Sequence, residues 1–576
     1  MAATNPSEEA LEAVEPEPQA ITKRFARPSS SADLEQGKTN DENEEISGWS
    51  FYVLIVVIIM AALVIALNGT VLGTAIPSIT AEFKTVDDVG WYAAAYLVTT
   101  CVMSPLVGRL CKGFAPKAVF VWFVAIFEVG SLIAALAPSS SVLVLARGIS
   151  GVGGSGIVNG AQAIIAEAVP IERRSFLNGV ILGCLALGQA IGPLIGGCLT
   201  RALSWRWCFW MNLPLGGLVL FIMIFILRVP MISRYKTRRS LVRRISDIDW
   251  VGFFIFAISC VLFLLGLQGG TKTSPWNSPN VIGPLVGGMV GFAGLTGWFV
   301  YKGDAALIPL KMLTSRINCT IAITSFVQTG CFVPAHYWLP VWFQTVRQQD
   351  PVHSGILLLP LTLSQLVGCL LGGAVIHFKG YYLPEVIVGN TLAAVGLGLI
   401  TTFTTETDLV RVLGYQVIMG FGRGLVMQLF TTAIQANVSR QDAPIASAFV
   451  VLNQFLGAAL FTSVAKTVFV SSIGPALHRN VPSLASDKLI DSGVQDIAQV
   501  VPAELVHGTL VAFNEALVNV FYLQLAAALV AFVTGWGMGW KSLKGLKEQQ
   551  KETEKGKDEG ASIGDVGILA QKSAKS

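Results

Sequence analysis

Four ionisable side chains interrupt stretches of sequence that are otherwise apolar: Glu128, Arg147, Glu167 and Arg423. Holding a charge at the depth of a lipid bilayer costs at least about 2.5–3.5 kcal/mol by insertion scales, so such groups suggest function. Glu128 suits proton or cation handling; a neutral carboxyl hydrogen-bonded between helices is the alternative. Glu167, close to the basic pair at 173–174, is expected to form an interfacial salt bridge. Arg423 is expected either to face a cavity and select an anionic group, or to pair with a carboxylate or a backbone carbonyl.

A second group of residues combines aromatic surface with hydrogen-bonding capacity inside the apolar stretches. Binding sites for organic molecules pair apolar walls with a few placed polar groups. The candidates for lining such a cavity, beside Arg423, are Gln162, Gln189, Phe332, Tyr337, Trp338, Phe343, Gln344, Gln428, Asn453 and Gln454. For any one of them, helix packing or anchoring at a membrane interface is the competing interpretation.

The stretch 178–200 is rich in glycine. Gly188, Gly192 and Gly196 recur at every fourth residue, Pro193 lies within that stripe, and Gly197 extends it. In water such a helix would be poor, because an interior Gly costs about 1 kcal/mol against Ala and Pro about 3. In a bilayer, small residues let helices approach closely. A plain helix-packing face is one interpretation, and a face that seals one side of a cavity is the other.

Several kinds of chemistry find no support. The cysteines show no Cys-x-x-Cys pair and the five histidines no His-x-x-x-His pair, so neither a metal site nor a cofactor is expected. Gly151-Val-Gly-Gly-Ser-Gly156 fits G-x-G-x-x-G, but that pattern has meaning only between a strand and a helix. No phosphate-binding loop of the G-x-x-x-x-G-K-[ST] type occurs, and no nucleophile–base set is visible. An enzyme is therefore not expected.

The elements that hold these residues are membrane helices. Of the 576 residues 53% are hydrophobic and 13% charged, against about 25% charged in soluble domains, and the mean hydropathy is +0.62. Apolar runs of 18 or more residues recur, each able to cross about 30 Å of hydrocarbon as a helix. Turn and charge punctuation divides 51–538 into fourteen spans. The sequence thus predicts an all-α polytopic membrane protein.

Orientation follows from the basic residues of the loops. Loops after even-numbered spans hold seventeen Lys and Arg residues, and loops after odd-numbered spans hold eight. Because cytoplasmic loops carry the excess of Lys and Arg, this bias places the even loops and both termini in the cytoplasm.

Five segments are expected along the chain. They are a disordered cytoplasmic tail (1–48), a six-helix half (49–228), a basic loop with two linker helices (229–302), a second six-helix half (303–540) and a charged cytoplasmic tail (541–576). Gly151-x-Gly153 in span four is similar to Gly420-x-Gly422 in span twelve. This match suggests that one half repeats the other.

Several segments in this order resemble the major facilitator superfamily, specifically its fourteen-helix drug:proton antiporter branch and fungal toxin-efflux pumps. The glycine stretch is similar to the antiporter motif of that branch, and LARGISGVGGSG to its fourth-helix motif, with Arg147 at the charged position. The other matching segments are FEVGSLIAALAPSS (127–140), WRWCFWMNLPLGG (205–217), YWLPVWFQTV with HSGILLLP (337–360) and FKGYYLPEVIVG (378–389). The resemblance implies a coupling or gating role for Arg147, with a structural ion pair as the alternative.

Two positions depart from the family pattern. Asn68 stands where the first-helix motif usually has Asp, and an amide cannot titrate, so proton coupling through this position is in doubt. The loop GRLCKGFAPK (108–117) resembles the cytoplasmic gating motif and retains Gly108 and Lys117, but Lys112 occupies the usual Asp position. An acidic–basic contact through this loop is therefore not assumed.

The resemblance implies a secondary transporter that exports an amphipathic toxin, secondary metabolite or drug in exchange for protons. Its expected partners are the small molecule, protons and the lipid bilayer, without nucleic acid, and the expected form is a monomer in the plasma membrane. The alternatives are a vacuolar or vesicle membrane, an uptake or vacuolar carrier for siderophores or basic amino acids on the same fold, and a non-transporting sensor or scaffold.

Overall fold

The computed structural model describes residues 48–84, 89–169, 171–227, 241–269, 276–439, 441–482 and 501–540. The predicted tails, apart from Gly48, and most of the basic loop after the sixth span lie outside the described residues. The long helices are α1 (Trp49–Phe83), α2 (Val89–Gly113), α3 (Pro116–Ala135), α4 (Ser140–Ala168), α5 (Ile171–Ala202), α6 (Asn212–Phe221), α7 (Trp250–Gly269), α8 (Pro279–Lys302), α9 (Arg316–Thr345), α10 (Leu359–Lys379), α11 (Leu383–Ile400), α12 (Leu409–Met427), α13 (Ala443–Asn480) and α14 (Ala503–Gly535).

Fourteen spans in the described residues are long and apolar enough to cross a membrane, which confirms the predicted number. The sixth joins Trp207–Trp210, α6 and a π-helical turn, Ile222–Ile226; the twelfth continues from α12 through Leu429–Ala436. Helices are expected here because hydrocarbon offers the backbone no hydrogen-bonding partner outside the segment itself. Local sequence sets several of their ends: Pro116 begins α3 with its fixed φ, and Gly380, at φ 79°, ends α10 in the left-handed conformation.

Two six-helix halves share one packing scheme. In the first, α1 packs along α5, α4 packs on α2 and α3, and α6 covers α1 and α3. In the second, α9 packs along α13, α12 packs on α10 and α11, and α14 covers α9, α11 and α13. The pairings α1–α5, α2–α4 and α3–α4 thus correspond to α9–α13, α10–α12 and α11–α12.

The glycines that suggested a repeat make equivalent contacts. Gly151 of α4 lies against the backbone of Tyr96 in α2, and Gly420 of α12 lies against the backbone of Leu361 in α10. On the other side of each helix, Gly153 approaches the backbone of α3 and Gly422 approaches the backbone of α11. A Cβ at these positions would collide with the neighbouring helix. The G-x-G-x-x-G match therefore serves helix packing.

The linker helices α7 and α8 pack on each other, and α7 also touches α2 and α13. Asp249 fixes this pair at one end. Its carboxylate accepts hydrogen bonds from Gly252 N at 3.0 Å, as a helix cap, and from Trp298 Nε1 of α8 and Leu307 N, both at 3.0 Å at their shortest. The linker pair therefore packs next to α2 and α13, where the two halves meet.

The halves meet along α2–α13 and α5–α10. We call the end of the bundle where the even-numbered helices finish and the next ones begin the basic end, and two close contacts between the halves lie there. Gly108 of α2 faces Ala448 and Ile445 of α13, and Gly373 of α10 faces Phe176 of α5. The two halves are thus in tight contact at the basic end.

Candidate functional site

Arg147 is the centre of a hydrogen-bonded network inside the first half. It is 1% exposed, and its Nε donates to Tyr92 O at 2.8 Å. Its Nη1 donates to Asn68 Oδ1 at 3.0 Å, and the guanidinium lies 4.7 Å from the ring centroid of Tyr96. Neutral acceptors and an aromatic face therefore hold this cation, and the side chain that accepts from it is the unusual Asn68.

The network continues from Asn68 to helices α3 and α6. Asn212 Nδ2 lies 3.4 Å from Asn68 Oδ1 and 3.3 Å from Ser131 Oγ. Asn212 is fully buried, and sequence reasoning missed it. Its place in WRWCFWMNLPLGG was the available signal, since a lone Asn at the start of an apolar helix is costly to bury without partners. Four helices of the first half, α1, α3, α4 and α6, are joined by these side chains.

Arg423 in the second half is equally buried, at 3% exposure, but is poorly bonded. Its Nη2 lies 3.5 Å from Thr329 Oγ1, at the limit of a hydrogen bond, and its guanidinium lies 5.2 Å from the ring centroid of Phe332. Neither Nε nor Nη1 has a hydrogen-bonding partner in the part of the chain that the structure describes. The expected carboxylate or carbonyl partner is not among its bonds there.

Glu128 of α3 faces α6. Its carboxylate packs against Gly216, where a Cβ would collide with Oε1. Both oxygens are buried and accept no hydrogen bond within the described ranges. A buried carboxylate without a partner is costly, so the structure favours the neutral, protonated carboxyl at this place.

The basic pair near Glu167 holds the turn between α4 and α5. Arg174 donates from Nε to Val169 O at 2.8 Å and from Nη2 to Ala166 O at 2.5 Å. Its Nη1 lies 3.5 Å from Gln435 Oε1 in the second half. Arg174 thereby caps the end of α4 and touches the opposite half. The salt bridge of Glu167 stays a prediction.

The predicted gating loop, 108–117, forms the end of α2 and the start of α3, and Lys112, which replaces its usual acid, makes an ionic contact across the halves. Lys112 Nζ lies 2.7 Å from Asp442 Oδ1, and Lys311 Nζ lies 2.6 Å from Asp442 Oδ2. Asp442, which directly precedes α13, also accepts from Ser439 Oγ at 2.9 Å. Burial raises the pKa of Asp442, but hydrogen bonds from Lys112, Lys311 and Ser439 outweigh it and lower the pKa to about 2. We call Lys112, Lys311 and Asp442 the latch.

The retained residues of the same loop support this contact. Gly108 allows α13 to approach, because a Cβ there would lie 2.7 Å from Ala448 Cβ. Lys117 Nζ donates to Leu227 O at 2.6 Å, which fastens the end of the sixth span. Arg109 Nε donates to Leu307 O at 3.0 Å and so ties α2 to the segment that precedes α9.

The glycine stripe of α5 lies within the first half and does not form the contact between halves. Gly188, Gly192 and Gly196 face α1, where added Cβ atoms would collide with Ala66, Thr70 and Thr74, respectively, whereas one at Gly197 would meet nothing within 4 Å. Pro193 lies inside the same helix. The stripe therefore serves close packing of α5 on α1.

Glycines earlier in α5 make the contact with the second half. A Cβ at Gly179 would collide with Cys369 O, and one at Gly183 with Leu366, both in α10. These positions lie on nearly the opposite side of α5 from the stripe at 188–196. Gly179 and Gly183, rather than the stripe at 188–196, therefore form the contact of α5 with the second half.

The structure distributes the predicted cavity residues widely. Trp338 and Phe343 are buried in the apolar cluster of α9, α13 and α14, and Tyr337 is 60% exposed. Gln344 Nε2 donates to Ser354 Oγ at 3.3 Å, within a turn after α9. These four residues are not brought together with Arg423.

The other amide candidates lie on α4, α5, α12 and α13. Gln428 is fully buried and donates to Leu425 O at 3.0 Å. The Oε1 atoms of Gln428 and of Gln162 are buried and have no hydrogen-bonding partner in the described region. Asn453 Nδ2 donates to Phe449 O at 2.7 Å, Gln189 is exposed, and Gln454 is half-buried. Only Phe332 among the aromatic candidates lies beside Arg423.

Sequence reasoning missed further buried polar residues of the second half. Glu385 lies beside Gly372 and the amide of Gln428, and neither carboxylate oxygen is hydrogen-bonded in the ranges described. Gln416 occupies the position that the glycine alignment matches to Arg147 and is also fully buried. The available signal for Glu385 was an acid within the apolar run that follows residue 380.

Two similarly packed six-helix halves, two linker helices and an ionic contact between the halves define a multi-pass membrane carrier. The family model for the Major Facilitator Superfamily matches residues 58–462, and the chain belongs to this superfamily of transporters. The MFS-type transporter calB of Penicillium decumbens is 36% identical over 91% of this chain and 93% of its own length. The efflux pump aflT of Aspergillus parasiticus is 35% identical over 88% and 98%, respectively.

Solved structures agree on the fold. The proton:xylose symporter XylE superposes with a TM-score of 0.57 at 15% identity, covering 86% of this chain and 98% of the symporter. At that identity the likeness concerns the fold alone. The predicted superfamily and its two-half architecture are confirmed.

Proposed function

We propose that the protein exports amphipathic small molecules, such as toxins or other secondary metabolites, in exchange for protons. The observation that carries the proposal is the latch, an ionic contact that joins two helical halves at one end and whose breaking would let that end open. Rocking of two halves about a central site is how such carriers give alternating access. Several relatives, including aflT, are named efflux pumps, which supports the direction of transport.

The closed basic end is proposed to face the cytoplasm, with the protein a monomer in the plasma membrane. The excess of Lys and Arg in the even-numbered loops supports this orientation. In export, the latch must open to admit cargo from the cytoplasm and close again before release outside. Gly108 and Gly179 support such a movement, because their contacts are backbone approaches that need no interlocking side chains.

Proton handling is proposed for Glu128, with Arg147 as a conformational centre that couples the helices around it. Asn68 cannot carry a proton, so the function of the usual Asp must lie elsewhere in this chain. Glu128 is suited to it because its carboxyl is buried and unbonded among the described residues. Glu167 remains a second candidate. The amides of Gln162 and Gln428, together with Arg423, are proposed to line the path of the cargo.

Transport in sealed vesicles with an imposed pH gradient tests this function. Deleting the gene and profiling metabolites first identifies the compound that accumulates in cells, and that compound is then used as the vesicle cargo. We expect uptake into inside-out vesicles with an acidic lumen, slowed at least tenfold in Glu128→Gln. Flux that ignores collapse of the gradient would refute proton coupling. Flux in the opposite sense would favour an uptake or vacuolar carrier, and no flux a sensor.

A further inference from the structure

Arg423 has unused capacity to bind an anion. A guanidinium carries five N–H donors and no acceptor. Of these, only Nη2 has a bond in the described part of the chain, a long one to Thr329, while Nε and Nη1 are buried without partners. Burying a cation in this way is costly unless something compensates it. The hydrogen bonding of the Arg423 guanidinium is therefore incomplete among the described residues.

The described surroundings of Arg423 supply no compensating acid. No ion pair of Arg423 occurs among the described residues, and its ionisable neighbours there are the thiols of Cys331 and Cys369. Arg147 shows the contrast, since Tyr92 and Asn68 accept from it at 2.8 and 3.0 Å. A cation that only held helices together would be expected to bond as Arg147 does.

The side of α9 that Arg423 touches offers a flat apolar wall edged by polar groups. The ring of Phe332 lies under the guanidinium, and the ring of His336 stacks on Phe332 at 5.9 Å between centroids and 21° between planes. Gln328 lies one turn before Phe332, and both of its amide atoms are buried without partners in the region described. These groups suit a planar molecule with an acidic substituent.

The internal repeat adds an independent argument. Matching Gly151 and Gly153 to Gly420 and Gly422 aligns Arg423 with Gly154. In the first half that position is closely covered by the hydroxyl of Tyr96. The common scaffold thus packs without a cation at this place, and the charge is a feature of the second half alone.

We propose that Arg423 binds a carboxylate or similar oxyanion of the cargo, whose aromatic body lies against Phe332. This rests on the proposed transport function and names its substrate class as planar organic anions. Nη2 keeps a second N–H beside its bond to Thr329, so a carboxylate would accept two parallel, charge-assisted hydrogen bonds, from Nη2 and from either Nε or Nη1, and this bidentate pairing would fix the cargo's orientation.

Ligand-induced stabilisation of the full-length protein in nanodiscs tests the site without any need for transport. The probes are 2-naphthoate and, as a neutral match of the same shape, 2-naphthamide, with sodium chloride as an inorganic anion. We expect naphthoate to raise the melting temperature saturably, and naphthamide and chloride to leave it unchanged. Equal effects of naphthoate and naphthamide, or of naphthoate and chloride, would overturn the proposal.

Variants locate the effect. Arg423→Gln should weaken naphthoate binding at least about tenfold, equivalent to about 1.4 kcal/mol, while Arg411→Gln, an exposed arginine of the same helix, should bind as the parent does. Unchanged binding by Arg423→Gln would refute the assignment. If that variant does not fold, Arg423→Lys and the parent's preference for naphthoate decide. Gradient-driven flux without that preference would refute the anion site alone; the preference without flux would refute only the transport function.

Discussion

Arg147 and Arg423, the most buried arginine of each half among the described residues, use their hydrogen-bonding capacity in opposite ways. Arg147 donates to the backbone of Tyr92 and to the side chain of Asn68, with an aromatic ring beneath it. Arg423 has an aromatic ring beneath it but only a 3.5 Å contact with Thr329. Both are almost fully buried, so burial alone does not distinguish a structural cation from a binding one. Completeness of hydrogen bonding does.

This difference shows how a repeated scaffold takes up separate tasks. The packing of α4 on its neighbours matches that of α12, yet the arginine of each half lies at a different level of its helix. In the first half the cation belongs to a hydrogen-bonded network that joins five helices, α1 to α4 and α6. In the second half it adds a charge that the folded chain leaves uncompensated among the described residues. We interpret the first as a conformational centre and the second as a contact for cargo.

Replacing each arginine by Gln tests this comparison, and Arg147→Gln is expected to change the free energy of unfolding most. Arg147→Gln removes the donor to Tyr92 O and leaves Asn68 Oδ1 with only the 3.4 Å contact from Asn212, so we expect the free energy of unfolding to fall by about 2–4 kcal/mol. Arg423→Gln removes a charge that lacks a partner, so stability should change by less than about 1 kcal/mol. Unfolding midpoints of both variants in the same nanodiscs measure this. Similar losses in the two variants would contradict the comparison.

The packing of α5 on α1 is the next test, because it holds Asn68 where Arg147 meets it. In Gly192→Ala the new Cβ would collide with Thr70 Oγ1, whose hydroxyl is bonded to Ala66 O at 3.0 Å. We expect a loss of about 1–3 kcal/mol and impaired export, with membrane insertion intact. Gly197→Ala is the matched control on the same helix, since its Cβ would meet nothing within 4 Å. Equal behaviour of the two variants would show that the stripe is not a packing face.

The latch gives a smaller effect with a defined pH dependence. Asp442→Asn leaves Lys112 and Lys311 facing each other without an acid, and we expect the closed basic end to lose about 1–2 kcal/mol. Because the pKa of Asp442 is lowered to about 2, its stabilisation is complete above about pH 4 and is lost as the pH falls through 2.

Distances between spin labels on the α2–α3 and α12–α13 turns measure this closure. The difference between the parent and Asp442→Asn should therefore be constant from pH 5 to 8, so that the latch itself senses no physiological proton gradient. A difference that grows or shrinks within that range would assign proton sensing to Asp442.

The fold could be predicted from the sequence because the length and apolar character of each continuous run identify it as a membrane span. The glycine stripe was likewise visible, since its spacing follows from helix geometry. The latch was not, because Lys112 and Asp442 are 330 residues apart and neither is unusual in its own turn. Nor does spacing along one helix reveal which neighbour a glycine faces, so the roles of Gly179 and Gly192 required the assembled bundle.

Asn68→Asp is the mildest and most direct change at the first arginine. Nδ2 of Asn68 has no hydrogen-bonding partner among the described residues, so replacing it by an oxygen removes no bond. Oδ1 still accepts from Arg147 and from Asn212, and the bond to Arg147 becomes charge-assisted. We expect a gain of about 0.5–1 kcal/mol in unfolding free energy at pH 7, which disappears as the carboxyl is protonated at lower pH. Asn68→Leu, which removes the acceptor, is the control and should be destabilised. A loss of stability in Asn68→Asp would mean that the first half requires a neutral partner for Arg147. Arg147 and Arg423 would then differ in charge environment as well as in hydrogen bonding.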